Sequence, residues 1–358
     1  MNQNQLSRIV IKGFKSIREC DLELKELNIL IGANGAGKSN FISFFQMIQQ
    51  IVARKLQLYT SKQGGPDVLL HFGRKKTREL SAELYFSNIS YKFVLEPTQD
   101  NRMVFAIENY LFDQKNLGSE GAHFEIRIED LIKMADPTMP LPMKGWRIYH
   151  FHDTGESSLV KQRQAINDNI YLRSDAQNLA AYLFLLKEQH QTHYQRIVKT
   201  IQLVAPFFGD FCLRPQPNSP DQIELEWFEK GEDKPFKAYQ LSDGTLRFIC
   251  LATVLMQPEN LQPDLILIDE PELGLHPYAI NVLASLLRAT SKSKQIIVST
   301  QSVALLNEFS AKDVIVADRN EGCTYLHRLN EDELESWLEE YSLGELWQKN
   351  ILGGRPSR

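Results

Sequence analysis

The stretch Ile29-Leu30-Ile31-Gly32-Ala33-Asn34-Gly35-Ala36-Gly37-Lys38-Ser39-Asn40 constrains this chain more than any other. An apolar run that fits a buried strand stops at Gly32. A glycine-rich loop follows, and Lys38-Ser39 opens a run that reads as a helix. This is the pattern G-x-x-x-x-G-K-[ST] in the strand–loop–helix setting that gives such a match its meaning. Gly32, Gly35 and Gly37 can take backbone angles that other residues avoid, so the amides of Gly32, Asn34, Gly35, Ala36, Gly37, Lys38, Ser39 and Asn40 can turn inward around an anion. The positive end of the following helix faces the same point. Lys38 is placed to neutralise β- and γ-phosphates, and the Ser39 hydroxyl to hold Mg²⁺. These residues predict a nucleoside triphosphate site.

The bulk numbers limit the setting. A chain of 358 residues exceeds the size at which a single hydrophobic core stops growing, so one large domain or two intimate ones are expected. A formal charge of −5 argues against a protein that coats nucleic acid electrostatically. The densest basic run, Arg74-Lys75-Lys76-Thr77-Arg78, reads as a solvated loop. Cys20, Cys212, Cys250 and Cys323 are scattered, show no metal-type spacing and fit a reducing compartment. Met1-Asn2-Gln3-Asn4-Gln5 carries no apolar leader, and no stretch approaches the about 18–20 apolar residues needed to span a bilayer. A cytoplasmic protein with no membrane partner is expected.

Along the chain, residues 6–14, 20–24 and 27–31 read as strands. Phe14-Lys15-Ser16 reads either as a turn with a packed Phe or as a contact to a base or ribose. From Ser39 to about Leu56, Phe41, Ile42, Phe44, Phe45, Met47, Ile48, Ile51 and Val52 give a helix with a wide apolar face, and Gly64-Gly65-Pro66 breaks the chain after it. Residues 79–86, 89–95, 102–108 and 122–129 alternate and predict an antiparallel meander, followed by a strand over 146–151. Residues 175–208 form a helical stretch with no sustained heptad, which excludes a coiled-coil arm. Residues 223–228 read as a further strand. The expected division is a nucleotide-binding core from 1–78 and 240–320, an antiparallel β subdomain over 79–150, a helical subdomain over 151–239 and a C-terminal helical tail over 321–358.

Asp264-Leu265-Ile266-Leu267-Ile268-Asp269-Glu270 is a buried strand that ends in two carboxylates, at the end where open α/β sheets keep their ligands. Beside a phosphate loop, Asp269 would join Ser39 in holding Mg²⁺, usually through water, and Glu270 would accept a proton from the water that attacks the γ-phosphate. Leu241-Ser242-Asp243-Gly244-Thr245 precedes a run, Leu246 to Met256, that reads as a buried helix, with Ser242 as its N-cap. Its small, glycine-bearing approach also suits a phosphate, and a second copy of the chain would supply one.

Leu241-Ser242-Asp243-Gly244-Thr245 resembles the LSGGQ signature motif of ABC-type ATPases. With Glu270-Pro271-Glu272-Leu273-Gly274-Leu275-His276-Pro277 it is similar to the RecF/SMC-like branch, and the whole chain to the OLD-related AAA_21 group of predicted ATPases. Tyr149-His150-Phe151-His152-Asp153-Thr154, Asn167-Asp168-Asn169-Ile170-Tyr171-Leu172-Arg173 and Tyr341-Ser342-Leu343-Gly344-Glu345-Leu346-Trp347 share that likeness. The resemblance implies an α/β fold: an ABC-type P-loop ATPase head with a mixed central sheet, an antiparallel β subdomain and a helical signature-motif subdomain. It implies a head-to-tail homodimer that sandwiches two ATP molecules, each between one phosphate loop and Ser242 and Gly244 of the other copy. Glu272, Leu273 and Gly274 would form the D-loop lining that interface. Arg247, one turn into the signature helix, is a candidate for contact across the interface, a surface or intrachain ion pair being the preferred reading. Gln301, in Gln295-Ile296-Ile297-Val298-Ser299-Thr300-Gln301-Ser302, fits the switch position where many relatives carry His. It cannot become cationic but can hydrogen-bond the attacking water or a γ-phosphate oxygen, which predicts slow hydrolysis. His150, His152 and Asp153 are at a plausible place for the Q-loop role.

The expected function is an ATP-gated switch, an ATPase, in DNA repair, recombination or defence against foreign DNA. The alternative is an energy-coupling ATPase subunit of a membrane or other complex; the signature and Glu270 argue against a small-molecule kinase. Related overcoming-lysogenization-type proteins carry a TOPRIM nuclease domain, whereas fewer than sixty residues follow Gln301 here. DNA and a separately encoded nuclease or effector subunit are therefore the partners considered. Residues 331–341 read as an acidic helix with Leu334, Trp337, Leu338 and Tyr341 on one face, core packing being preferred over a docking role.

Overall fold

Alternating apolar residues organise residues 8–23 and 80–123 into strands whose inward side chains are buried. The computed structural model describes residues 4–155 and 157–354; Met1, Asn2 and Gln3, and residues 355–358 of the expected tail, lie outside them. The chain divides into two units, Met1–Trp146 with Phe309–Arg358, and Arg147–Glu308.

In the first unit a six-stranded antiparallel sheet runs in the order Ile17–Glu23, Arg8–Phe14, Leu80–Tyr85, Ile89–Pro97, Met103–Phe112, Lys115–His123. Leu80, Ala82 and Leu84 are buried while Ser81, Glu83 and Tyr85 are not, the period-2 pattern of a strand with one face in a core. The expected strand over 122–129 is corrected. The fourth meander strand ends at His123, and Ile128–Ala135 is a helix. Ile128 and Ile132 lie one turn apart and are both buried, and Glu129 and Asp130 sit in the first turn, where they suit the positive helix end.

The strand Leu27–Ile31 pairs in parallel with Val314–Asn320, which pairs antiparallel with Cys323–Arg328. All five residues of Leu27–Ile31 are buried, as a strand covered on both faces requires. The helix Lys38–Val52 follows, burying Phe41, Phe44, Phe45, Met47, Ile48 and Ile51 at helical spacing. Each such side chain contributes roughly 1.5–3 kcal/mol of hydrophobic stabilisation. In the tail, the helix Leu343–Gln348 buries Leu343, Leu346 and Trp347. The helix Glu331–Leu338 buries Leu334 but leaves Trp337 44% exposed, so core packing accounts for the second helix and only part of the first.

In the second unit, Leu265–Asp269 and Gln295–Ser299 are parallel neighbours, in register from Leu265 opposite Gln295 to Asp269 opposite Ser299. The helix Pro277–Thr290 makes the crossover between them. The expected 175–208 helix is two helices, Leu179–Gln189 and Gln191–Val204, which meet at the non-helical His190. The expected strand over 223–228 is two, Ser219–Ile223 and Glu226–Glu229. The helix Asp243–Met256 is buried along most of its length.

Candidate active site

In the first unit the phosphate loop is held by residues far away in sequence. Gly37 has φ of 110°, outside the range open to other residues, and a Cβ there would overlap Thr324 Oγ1 and lie 2.6 Å from Thr324 Cγ2. The loop thus wraps directly against the strand Cys323–Arg328. A relay of hydrogen bonds fixes the contact. Asn40 Nδ2 donates to Ser16 Oγ at 2.5 Å, Ser16 Oγ lies 2.7 Å from Thr324 Oγ1, and Thr324 Oγ1 donates to the Ala36 carbonyl at 3.0 Å. A hydroxyl has one proton, so Thr324 spends its own on Ala36 and Ser16 donates to Thr324. Arg319 Nη1 donates to the Gly35 carbonyl at 3.0 Å, and the Ala33 N–H donates to the Gly354 carbonyl at 2.6 Å. Lys38 is buried, its Nζ donating to the carbonyls of Gly32 at 2.5 Å and Ala33 at 3.2 Å, so that the side chain folds back over the loop. Asn34, Gly35 and Ser39 are exposed.

Beside this loop opens a cavity of about 760 Å³, lined among others by Lys15, Ser16, Asn40, Phe72, Arg74 and Arg319. Phe14 faces the other way: it is fully buried, its ring 5.5 Å from that of Phe44. Of the triplet Phe14-Lys15-Ser16, only the last two border open space. Lys15 Nζ donates to Ser43 Oγ at 2.6 Å and to Gln63 Oε1 at 3.1 Å, and burial pulls its pKa below the usual lysine range.

The second unit holds the other predicted residues. Asp269 closes its strand, and Glu270 turns the chain away with φ of 45°. That left-handed conformation is costly for a residue with a side chain. The Glu270 N–H donates to the Ser299 carbonyl at 2.7 Å, and the Gln301 amide Nε2 donates to Glu270 Oε1 at 2.5 Å. The structure therefore brings Glu270 and Gln301 together. His152 is exposed, with Nε2 3.0 Å from the Asp269 carbonyl, and His150 Nδ1 lies 3.9 Å from Asp269 Oδ2. Burial lowers the His150 pKa, against the pull of Asp269, and favours the neutral imidazole.

Ser242 caps the helix Asp243–Met256, its Oγ accepting from the Thr245 N–H at 3.2 Å. Gly244 lies so close to Gly274 that a Cβ on it would overlap the Gly274 carbonyl oxygen. Arg247 corrects the expectation of an ion pair. It is buried and gives its donors to carbonyls: Nε to Phe151 at 2.7 Å, Nη2 to His152 at 3.2 Å and Nη1 to Leu273. Nothing in the spacing of charges around residue 247 announced this.

The residues present fit a nucleoside triphosphate with Mg²⁺. The glycine cradle would be filled by any Cβ at Gly37, and the Ser39 hydroxyl in the first unit and the Asp269 carboxylate in the second are each of the hard oxygen type that Mg²⁺ takes. Among the described residues no group of three or more His, Cys, Asp or Glu forms a metal cage of its own. No helix among them is long and apolar enough to cross a membrane.

Residues 27–307 match a family model described as "AAA domain, putative AbiEii toxin, Type IV TA system". Over 149 residues the chain is 33% identical to "Old nuclease" of Escherichia phage P2, covering 37% of this chain and 25% of that protein. Over 128 residues it is 33% identical to "Putative ABC transporter ATP-binding protein" of Methanosarcina acetivorans, covering 33% of this chain and 45% of that one. The chain thus spans less than half the length of the curated relatives it matches. In structure it is similar to the Smc head domain of Pyrococcus furiosus, solved with an extended coiled coil and bound to the C-terminal domain of ScpA. The TM-score is 0.60 at 16% identity, over 94% of this chain and 99% of that one, which speaks for the fold alone. The family match runs from the strand before the phosphate loop, through the acidic strand, to beyond Gln301, and the chain belongs to this AAA_21 family of AAA-domain proteins.

Proposed function

We propose that this chain binds ATP with Mg²⁺, hydrolyses it slowly, and uses the cycle to close and open a head-to-tail homodimer that acts with DNA or a DNA-directed partner. The observation that carries hydrolysis is the bond from Gln301 Nε2 to Glu270 Oε1, which joins a base to a water-orienting amide. The amides from Gly32 to Asn40 hold the phosphates, Lys38 swings from the Gly32 and Ala33 carbonyls to neutralise them, and Ser39 with Asp269 holds the metal. Mg²⁺ supplies neutralisation of charge on the β- and γ-phosphate oxygens. Glu270 takes a proton from the attacking water, and Gln301 orients that water or a γ-phosphate oxygen. An amide brings no positive charge, so turnover is slow; hundreds of turnovers per second in the isolated protein would contradict this. The cavity lined by Lys15, Phe72 and Arg74 takes the base and ribose, where the exposed Phe72 ring offers a stacking surface.

The exposed N-terminus of the helix capped by Ser242 supports a second anion contact, made by Ser242 and Gly244 to the nucleotide of the other copy. A nuclease among the relatives, of which this chain spans a quarter, favours a role with DNA in repair or defence. The name of the Methanosarcina relative favours a second reading, an energy-coupling ATPase subunit of another complex.

The test is Glu270→Gln with ATP and Mg²⁺, followed by light scattering. The mass should rise from 41.2 kDa to roughly twice that and fall back when ATP is removed. A variant that binds ATP and stays monomeric sinks the dimer. If the trapped dimer retards duplex DNA, the first reading holds; if it ignores DNA, the second takes its place.

A further inference from the structure

The loop after the acidic strand carries a second carboxylate that the proposed hydrolysis leaves unused. Glu272 is only 8% exposed. Its Oε1 accepts two hydrogen bonds, from Thr300 Oγ1 at 2.6 Å and from the Gln301 backbone N–H at 3.2 Å. Its Oε2 is buried and finds no hydrogen-bond partner among the described residues. The Thr300 hydroxyl accepts in turn from the Ser302 N–H at 2.9 Å, and Ser302 Oγ caps the short helix Val303–Leu306. One carboxylate oxygen therefore pins the whole turn that follows the strand Gln295–Ser299. Burying a carboxyl with one oxygen unsatisfied is costly, and a simple turn does not call for it.

What the arrangement achieves is visible at Gln301. Two carboxylates, two positions apart in one loop, hold the two ends of one glutamine: Glu272 takes its backbone N–H, Glu270 its side-chain amide at 2.5 Å. We propose that Glu272 is a positioning residue, which fixes the main chain of Gln301 so that its amide meets Glu270 and the attacking water. This rests on the reading that Glu270 and Gln301 handle that water. Burial also raises the Glu272 pKa, which favours the neutral acid. A neutral acid keeps a carbonyl oxygen for both donors, so the role needs an acceptor and no charge. Glutamine can supply that acceptor and alanine cannot.

The experiment compares Glu272→Ala, Glu272→Gln and wild type by ATP titration, steady-state hydrolysis, thermal unfolding and hydrogen exchange by mass spectrometry. In Glu272→Ala, kcat should fall by about 10- to 100-fold, the cost of a misplaced group, while ATP affinity stays at the wild-type value. Exchange should accelerate in peptides covering residues 300–302 and match wild type elsewhere. Glu272→Gln should restore both kcat and exchange. Unchanged exchange at 300–302 in a folded Glu272→Ala would overturn the proposal. So would faster exchange across all of 147–308 with a lower Tm, which would make the role structural. If Glu272→Ala does not fold, Glu272→Gln decides: near-wild-type kcat supports the acceptor role, and loss of kcat with normal exchange overturns it. A wild type that binds ATP without hydrolysing it would refute the functional reading, while the exchange arm would still judge the positioning.

Discussion

Replacing Gly37 by alanine tests the phosphate loop at its tightest point. Two separate costs are expected. The first is conformational: φ of 110° is outside the range of an L-residue with a side chain, a strain worth about 1–3 kcal/mol. The second is steric, because the new methyl would overlap Thr324 Oγ1 and sit 2.6 Å from its Cγ2 and 2.8 Å from its Cβ. If the loop relieves both by moving, its amides leave the arrangement that suits phosphates. The conformational cost alone would weaken ATP binding by about 5- to 150-fold, at 1.4 kcal/mol per factor of ten. The two costs separate in a double-mutant cycle with Thr324→Gly, which removes every Thr324 atom that the methyl would meet. Thr324→Gly alone loosens the loop by deleting the bond to Ala36, yet it should be less harmful in the Gly37→Ala background than in wild type. Calorimetric ATP titration of the four proteins, each checked for folding, gives the coupling. If Gly37→Ala binds ATP like wild type, or if the coupling is zero, Thr324 does not shape the loop.

The remaining predictions concern other contacts. Gly244→Ala drives a methyl into the Gly274 carbonyl, and overpacking of this kind costs about 1–3 kcal/mol; it should abolish the ATP-dependent dimer on light scattering while calorimetric ATP affinity holds. Arg247→Ala leaves the buried Phe151 carbonyl and the part-buried carbonyls of His152 and Leu273 without their donor and should cost about 1–3 kcal/mol in urea unfolding. Glu129, held by Lys144 at 2.8 Å and Lys133 at 2.9 Å, has its pKa lowered from an ordinary 4.5 to about 2. A lowered acid pKa contributes stability that is present above 4.5 and lost as pH falls towards 2, so Lys144→Met with Lys133→Met should flatten the pH dependence of urea stability in that window.

The features that could be read from the sequence are those written in local spacing. Gly32 to Ser39 spells out its loop within eight residues, the apolar run before Asp269 and Glu270 declares a buried strand, and Ser242 stands one residue before a helix. The Gln301 position followed from its strand. The residues that brace the phosphate loop could not be read this way. Thr324, Arg319 and Gly354 act on it through the pairing of Leu27–Ile31 with Val314–Asn320, and such pairing leaves no periodic trace. Arg247 was misread because a charge in a helix resembles a solvated one until its carbonyl partners are known. The strand expected over 122–129 failed for a different reason. Ile126 and Ile128 suggest alternation, but Ile132 completes a helical stripe with Ile128, and tertiary packing chose the longer pattern.

The first unit is built from both ends of the chain, and this has a consequence for biosynthesis. Ala36 and Thr324 are 288 positions apart, so at typical translation rates of 5–20 residues per second Thr324 follows Ala36 out of the ribosome by about 15 to 60 seconds. Through that interval the phosphate loop lacks the strand that shapes Gly37, and Leu27–Ile31 lacks its neighbour Val314–Asn320. All of 147–308 emerges in the meantime. An apolar strand with an open edge must therefore wait, exposed to wrong pairings, while the inserted unit is made. Nascent chains stalled before and after residue 324 should differ sharply in their ability to retain ATP.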